Sequence, residues 1–156
     1  RAVASRCSVS AGTIYNYYES KADLLGDTIE SIWREIFFNP EDEQVFKDVA
    51  ACISWIYKRL EYGNEQFPGF FSLHSLGFMK DEKMDGKKKM LQTWGHILNG
   101  LCDILKNDPK IRPDVFDEQF TEKQFADILF SLILVSMIRQ DYNPSSILML
   151  INKTLY

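Results

Sequence analysis

Between Ile128 and Ile138 the chain runs for eleven residues without a charge, and Ser131 and Ser136 are the only polar side chains in it. As a helix this run is apolar on every face. It is too short to cross a bilayer, which takes about 20 residues, and a chain of 156 residues cannot easily cover one helix all round. A central helix buried in a monomer is one solution; a second copy of the chain is the simpler one. Thr121-Glu122-Lys123-Gln124 in front of the run has the form of a capping box. Asn143-Pro144-Ser145-Ser146 gives another helix start, followed by Ile147-Leu148-Met149-Leu150-Ile151, again apolar all round. These two helices are expected to pair with their copies as a four-helix bundle about a two-fold axis, with Phe130, Leu134, Met137, Ile147, Leu150 and Ile151 in the interface.

The rest of the chain also reads as helices, so the fold class is all-α. Residues 21–38 place Leu24, Leu25, Ile29, Ile32, Trp33, Ile36 and Phe37 on one broad stripe. Asn39-Pro40 with Glu41, Asp42 and Glu43 has the cap, the proline and the acids of a helix start. That helix is expected to run on through Val45, Val49, Cys52, Ile53, Ile56 and Leu60 to Gly63-Asn64. Phe67-Pro68-Gly69 is a break. A short aromatic helix over 70–79, a charged stretch over 80–89 and a long helix from Met90 to Leu105 follow, the last ending before Asp108-Pro109; Pro113 is expected to open a short helical turn.

The first 25 residues have a different character. Residues 1–7 read as the end of a short helix, Ser10 is placed to cap a second helix, and Ser20 a third with Asp23 three residues on. This is a helix-turn-helix layout. The middle helix is poor by propensity, with Gly12, β-branched Thr13 and Ile14, and Tyr15, Tyr17 and Tyr18 around Asn16. Its small first turn (Ser10, Ala11, Gly12) would admit a close DNA backbone. Thr13, Tyr15 and Tyr17 offer hydroxyls, and Asn16 offers a donor-acceptor fork that fits an adenine edge. Ile14 and Tyr18 are expected to face inward.

The run Val9-Ser10-x-Gly12-Thr13-x-Tyr15-x-Tyr17-Tyr18-x-Ser20-Lys21-x-x-Leu24 resembles the DNA-binding signature of the TetR (tetracycline-repressor-like) family of bacterial regulators. The resemblance implies phosphate contacts from Ser10, Thr13, Tyr15, Tyr17 and Lys21, and places Ala11, Gly12 and Asn16 near base edges. It departs from the family at Ser8, where the family has its turn glycine, and at Tyr18, where a Phe is common; a positive φ at Ser8 would be strained. Family members also carry a basic arm and a first helix ahead of the point where this sequence begins. The expected division is a partial helix-turn-helix domain over 1–25 and a helical ligand-binding and dimerisation domain over 26–156.

Charge and cysteines narrow the function. A net charge of -4 argues against a protein that coats nucleic acid or an acidic membrane, whereas residues 1–25 carry Arg1, Arg6 and Lys21 against Glu19 and Asp23, a local surplus suited to DNA. Cys7, Cys52 and Cys102 are far apart and odd in number, which reads as reduced thiols of a cytoplasmic protein. No phosphate-binding glycine loop, Gly-x-Ser-x-Gly elbow, His-Glu-x-x-His or Cys-x-x-Cys occurs, so neither an enzyme nor a cofactor or metal is expected. The resemblance implies a homodimeric transcriptional regulator, most often a repressor, released from a palindromic DNA operator by a small molecule. An apolar effector pocket is expected at Trp55, His74, Phe78, Trp94 and Leu98, with Arg59 or Glu61 as polar contact. The alternatives are a helical protein-interaction module and a small-molecule binder that never meets DNA.

Overall fold

The computed structural model describes residues 2–37, 47–71 and 84–156, with the backbone alone for Ala11 and for residues 84–94. Every regular element among the described residues is an α-helix: α1 Ala2–Arg6, α2 Ala11–Tyr17, α3 Lys21–Phe37, α4 Val49–Gln66, α5 Met84–Asn107, α6 Glu122–Arg139 and α7 Ser145–Thr154. They fall into two compact units, Arg1–Phe38 and Asn39–Tyr156.

The helix ends follow local chemistry. Ser10 caps α2 and Ser20 caps α3, each side-chain oxygen accepting from the backbone N–H three residues on, at 3.0 and 3.1 Å. The capping box at α6 is complete, since Gln124 N donates to Thr121 Oγ1 at 3.3 Å and Thr121 N donates to Gln124 Oε1 at 2.8 Å. At α7, Asn143 Oδ1 accepts from Ser145 N at 2.9 Å.

Three boundaries differ from the sequence reading. The helix start at Asn39-Pro40 and Val45 lie outside the described residues, and α4 begins at Val49 because Asp48 is extended (φ -149°) and accepts from Ala51 N at 2.7 Å. At its far end α4 runs past Gly63 to Gln66; Gly63 is buried, and the break comes at Phe67, Pro68 and Gly69 (φ 81°). The long helix starts at Met84, six residues before Met90, so its backbone takes in Lys87, Lys88 and Lys89. Around Pro113 the chain makes only a turn.

In the second unit α5 lies along α6, and α4 contacts both α7 and α5. The core is made by Ile53, Ile56 and Leu60 of α4, Leu101 and Leu105 of α5, Leu129 and Ile133 of α6, and Ile147 and Ile151 of α7, all buried. Phe116, Phe120 and Phe125 close one end with ring centroids 5.9 to 6.2 Å apart. A buried carboxylate fastens one end of this unit. Asp108 accepts from Val49 N at 2.9 Å, Lys110 N at 2.9 Å and the Tyr156 hydroxyl at 2.6 Å. Tyr57 of α4 and Ser136 of α6 share a hydroxyl hydrogen bond of 2.7 Å.

The all-apolar helix is covered on one side only. Leu129, Phe130, Ile133 and Met137 of α6 are buried in their own chain, while Ile128, Leu132, Val135 and Ile138 are exposed. On α7, Ile147 and Ile151 are buried, and Met149 and Leu150 are exposed. Of the residues expected in a dimer interface, Phe130, Met137, Ile147 and Ile151 therefore belong to the protomer's core, Leu134 is half-buried, and Leu150 alone is well exposed. The phase of an apolar helix is set by what packs on it, and an uncharged run carries no polar mark from which to read it.

Candidate nucleic-acid interface

The turn from α1 to α2 is set by a Schellman arrangement. Val9 N donates to Ala4 O at 3.0 Å and Ser8 N donates to Ser5 O at 3.3 Å, around Ser8 at φ 56°. This left-handed position is the strained one anticipated for Ser8; glycine would occupy it at no steric cost. Ser10 then holds α2 by two contacts, the cap to Thr13 N and a 2.9 Å hydrogen bond with Thr13 Oγ1. At the other end Tyr18 is extended (φ -129°) and its N–H donates to Ile14 O at 3.0 Å, which stops α2 after two turns. Ser20 Oγ also donates to Asp23 Oδ2 at 2.8 Å, fixing the first turn of α3 beside Lys21.

Helical spacing divides α2 into two faces. Gly12, Tyr15 and Asn16, at i, i+3 and i+4, share one face and are all exposed, Tyr15 at 68%. A Cβ on Gly12 would meet only Ser10 Oγ, at 3.6 Å, so the backbone there is open to a large neighbour. Ile14, Tyr17 and Tyr18 share the opposite face and line an open apolar depression with Val3, Cys7, Val9, Thr13 and Leu24. Tyr17 stands at the rim of that depression, 80% exposed. Ser10 and Thr13 are engaged with each other rather than directed outward alone. Ala11 lies in the first turn, with its side chain outside the description, and Lys21 is exposed.

The expected effector residues are less complete. His74 and Phe78 lie outside the described residues, and Trp94 is described by its backbone alone. Trp55 and Arg59, one turn apart on α4, and Leu98 on α5 are half-buried, and Glu61 is exposed. The Arg59 guanidinium stacks 4.4 Å from the centroid of the Tyr62 ring, a cation–π contact along the same helix. Among the described residues no group of three or more His, Cys, Asp or Glu side chains is placed to hold a metal. Nor is any helix among them long and apolar enough to cross a membrane.

Two functional-group placements carried no sequence signal. Asp108 reads as a plain loop residue before proline, yet it gathers three donors. Tyr142 reads as a turn residue before Asn143-Pro144, yet its hydroxyl is buried.

Residues 1–28 match the family model of bacterial regulatory proteins, tetR family. No curated protein and no solved structure matches the chain. The matched segment contains α1, α2 and the first turns of α3; in a helix-turn-helix the second helix is the one that enters the major groove. Regulators of this family are generally non-enzymatic. Residues 1–28 thus carry the DNA-binding unit of the tetR family of bacterial transcriptional regulators.

Proposed function

We propose that this protein is a cytoplasmic, homodimeric repressor that leaves a palindromic operator when a small, largely apolar molecule binds its helical body. The observation that carries the DNA half is the face of α2 formed by Gly12, Tyr15 and Asn16, exposed and fixed in place by the Ser10 cap. Asn16 reads a base edge, Lys21 and Tyr15 contact phosphates, and Ser10 and Thr13 shape the first turn while reaching the backbone. Tyr17 contributes from the flank.

Support for the dimer comes from the uncovered apolar residues Ile128, Leu132, Val135 and Ile138 on α6 with Met149 and Leu150 on α7. A second copy presenting the same patch covers it symmetrically. Two recognition helices then address half-sites about 34–36 Å apart, one turn of DNA. The effector is placed against α4 and α5, near Trp55, Arg59 and Leu98, with His74, Phe78 and Trp94 as further candidates.

A mobility-shift titration of the full-length protein on its own upstream intergenic DNA, across a salt series and with competitor DNA, tests this reading. A saturable, competitor-resistant shift by one dimer per near-palindrome is expected. A folded dimer with no specific shift against a genomic DNA pool would leave the body as a protein-docking module instead.

A further inference from the structure

Helix α3 is braced at both ends and left loose between them. Its first turn is fixed by Ser20, which accepts from Asp23 N at 3.1 Å and donates to Asp23 Oδ2 at 2.8 Å. Leu24, just after that turn, lines the apolar depression with Ile14, Tyr17 and Tyr18 and so belongs with α2. The last turns are tied by pairs one turn apart, Glu30 to Arg34 at 3.1 Å and Trp33 stacked on Phe37 with ring centroids 5.6 Å apart. Ile36, among them, is fully buried.

Between these two segments stands Gly26. Inside a helix only proline is less favourable than glycine, and no close approach calls for it here: among the described residues nothing lies within 4 Å of the place a Cβ would take. In the same turn the Thr28 hydroxyl donates to Leu24 O at 2.7 Å, sharing the carbonyl that the Thr28 N–H uses in a regular helix. Such back-bonding weakens helices and often bends them. Ser54 and Ser131 make the same bond in α4 and α6, but neither has a glycine in the turn it spans. Two separate weak points therefore coincide in α3, just past the last residue that packs on α2. We propose that residues 24–28 are a hinge, with Gly26 and Thr28 as its positioning residues, and that it lets one dimer fit half-sites at more than one spacing. Each base pair added between half-sites moves them apart by about 3.4 Å and rotates one against the other by about 35°. A stiff α3 would leave that misfit to the DNA, which resists twisting and bending. The inference rests on the reading of the chain as a homodimer on a palindrome, and names what sets the spacings it accepts.

The test uses the near-palindrome that the full-length protein selects from a genomic DNA pool, with its centre shortened or lengthened by one base pair, in mobility-shift titrations. The wild type should lose no more than roughly tenfold in affinity on either altered spacing, whereas Gly26→Ala should lose about a hundredfold, the scale of forcing DNA to deform. On the original spacing the two should bind alike. Thr28→Val, which keeps the shape and removes the hydroxyl, should narrow the accepted spacings in the same direction. Gly26→Ala should also melt higher than the wild type, because the position is open. A lower melting temperature would mean that the glycine answers a packing need, and would overturn the hinge. A spacing profile unchanged by Gly26→Ala overturns it too, as does a wild type already confined to one spacing; both leave the repressor reading standing. Failure of the wild type to bind any palindrome specifically would sink the repressor reading itself, and the hinge with it.

Discussion

Ser10 and Thr13 hold each other twice, through the backbone N–H of Thr13 at 3.0 Å and through their hydroxyls at 2.9 Å. Both contacts fall on a two-turn helix that contains glycine and β-branched residues, so its geometry depends on its cap more than on its propensity. Ser10→Ala should cost about 1 kcal/mol of stability and weaken DNA binding, whereas Ser10→Asp should keep the cap and weaken DNA binding by repelling phosphate. Thermal melts and mobility shifts of the two variants separate capping from contact. Equal melting losses in both would exclude a capping role.

Ser8 and Gln140 close α1 and α6 in the same left-handed conformation, at φ 56° and 54°. Gln140 repeats the Schellman pattern, with Asp141 N donating to Ser136 O at 3.1 Å and Gln140 N to Met137 O at 3.3 Å. A non-glycine residue there is strained by roughly 1 kcal/mol. Ser8→Gly and Gln140→Gly should each raise the denaturation midpoint, while Ser8→Val should lower it.

Asn16 and Lys21 should fail in different ways. On the proposed reading Lys21→Ala removes a phosphate contact, so affinity should fall for every sequence and the slope of log K against log salt should shrink by about 1. Asn16→Ala should relax preference at one base pair in each half-site, at about 1–3 kcal/mol for the matched base. Binding to a panel of single-substituted operators distinguishes them; loss of equal size at every position in both variants would remove Asn16 from base readout.

The uncovered patch gives a test of assembly. Val135 lies exposed within it, so Val135→Asp should leave the fold intact and abolish the proposed dimer. Phe130→Asp, by contrast, should unfold the body, because Phe130 is buried in its own chain. Sedimentation and circular dichroism report the two outcomes.

Asp48 joins α4 to the loop after α5 through a 2.6 Å ion pair with Lys110. The hydrogen bond from Lys110, helped by the Ala51 N–H, holds the Asp48 carboxyl below its ordinary value, and the same bond raises the Lys110 ammonium. Because the folded value is the lower one for Asp48, the contribution is complete above the unfolded carboxylate value of about 3.9. It is lost as the pH falls through the folded value. Lys110→Met should therefore flatten the acid limb of a stability–pH curve and leave its alkaline side little changed up to the range where lysine titrates.

What the sequence made legible was local. Ser10, Ser20 and Thr121 act within three residues of themselves, and the structure has all three caps in place. The helix-turn-helix spacing is built from such signals, which is why it could be read from a short stretch. Signals that depend on distant partners were lost. The phase of α6 is chosen by what packs on it, so Phe130 and Met137 could not be told from Ile128 and Val135 by type. Asp48 carries the start of α4, and Pro40 earlier in the chain offered a more conspicuous one. The buried roles of Asp108 and Tyr142 arise only when residues far apart in sequence are brought together.

The fastening at Asp108 also bears on how the body comes into being. Its carboxylate draws one donor from the first residue of α4 and another from Tyr156, beyond the end of α7. During synthesis α4 leaves the ribosome long before Tyr156 does, so the helix emerges with its docking site unfinished. Completion of this end of the body is thus a step that waits for the ribosome to deliver residues more than a hundred positions downstream. Until then the apolar residues of α4 that meet α7 are uncovered, and the nascent body is vulnerable to chaperone capture and to association with other unfinished chains.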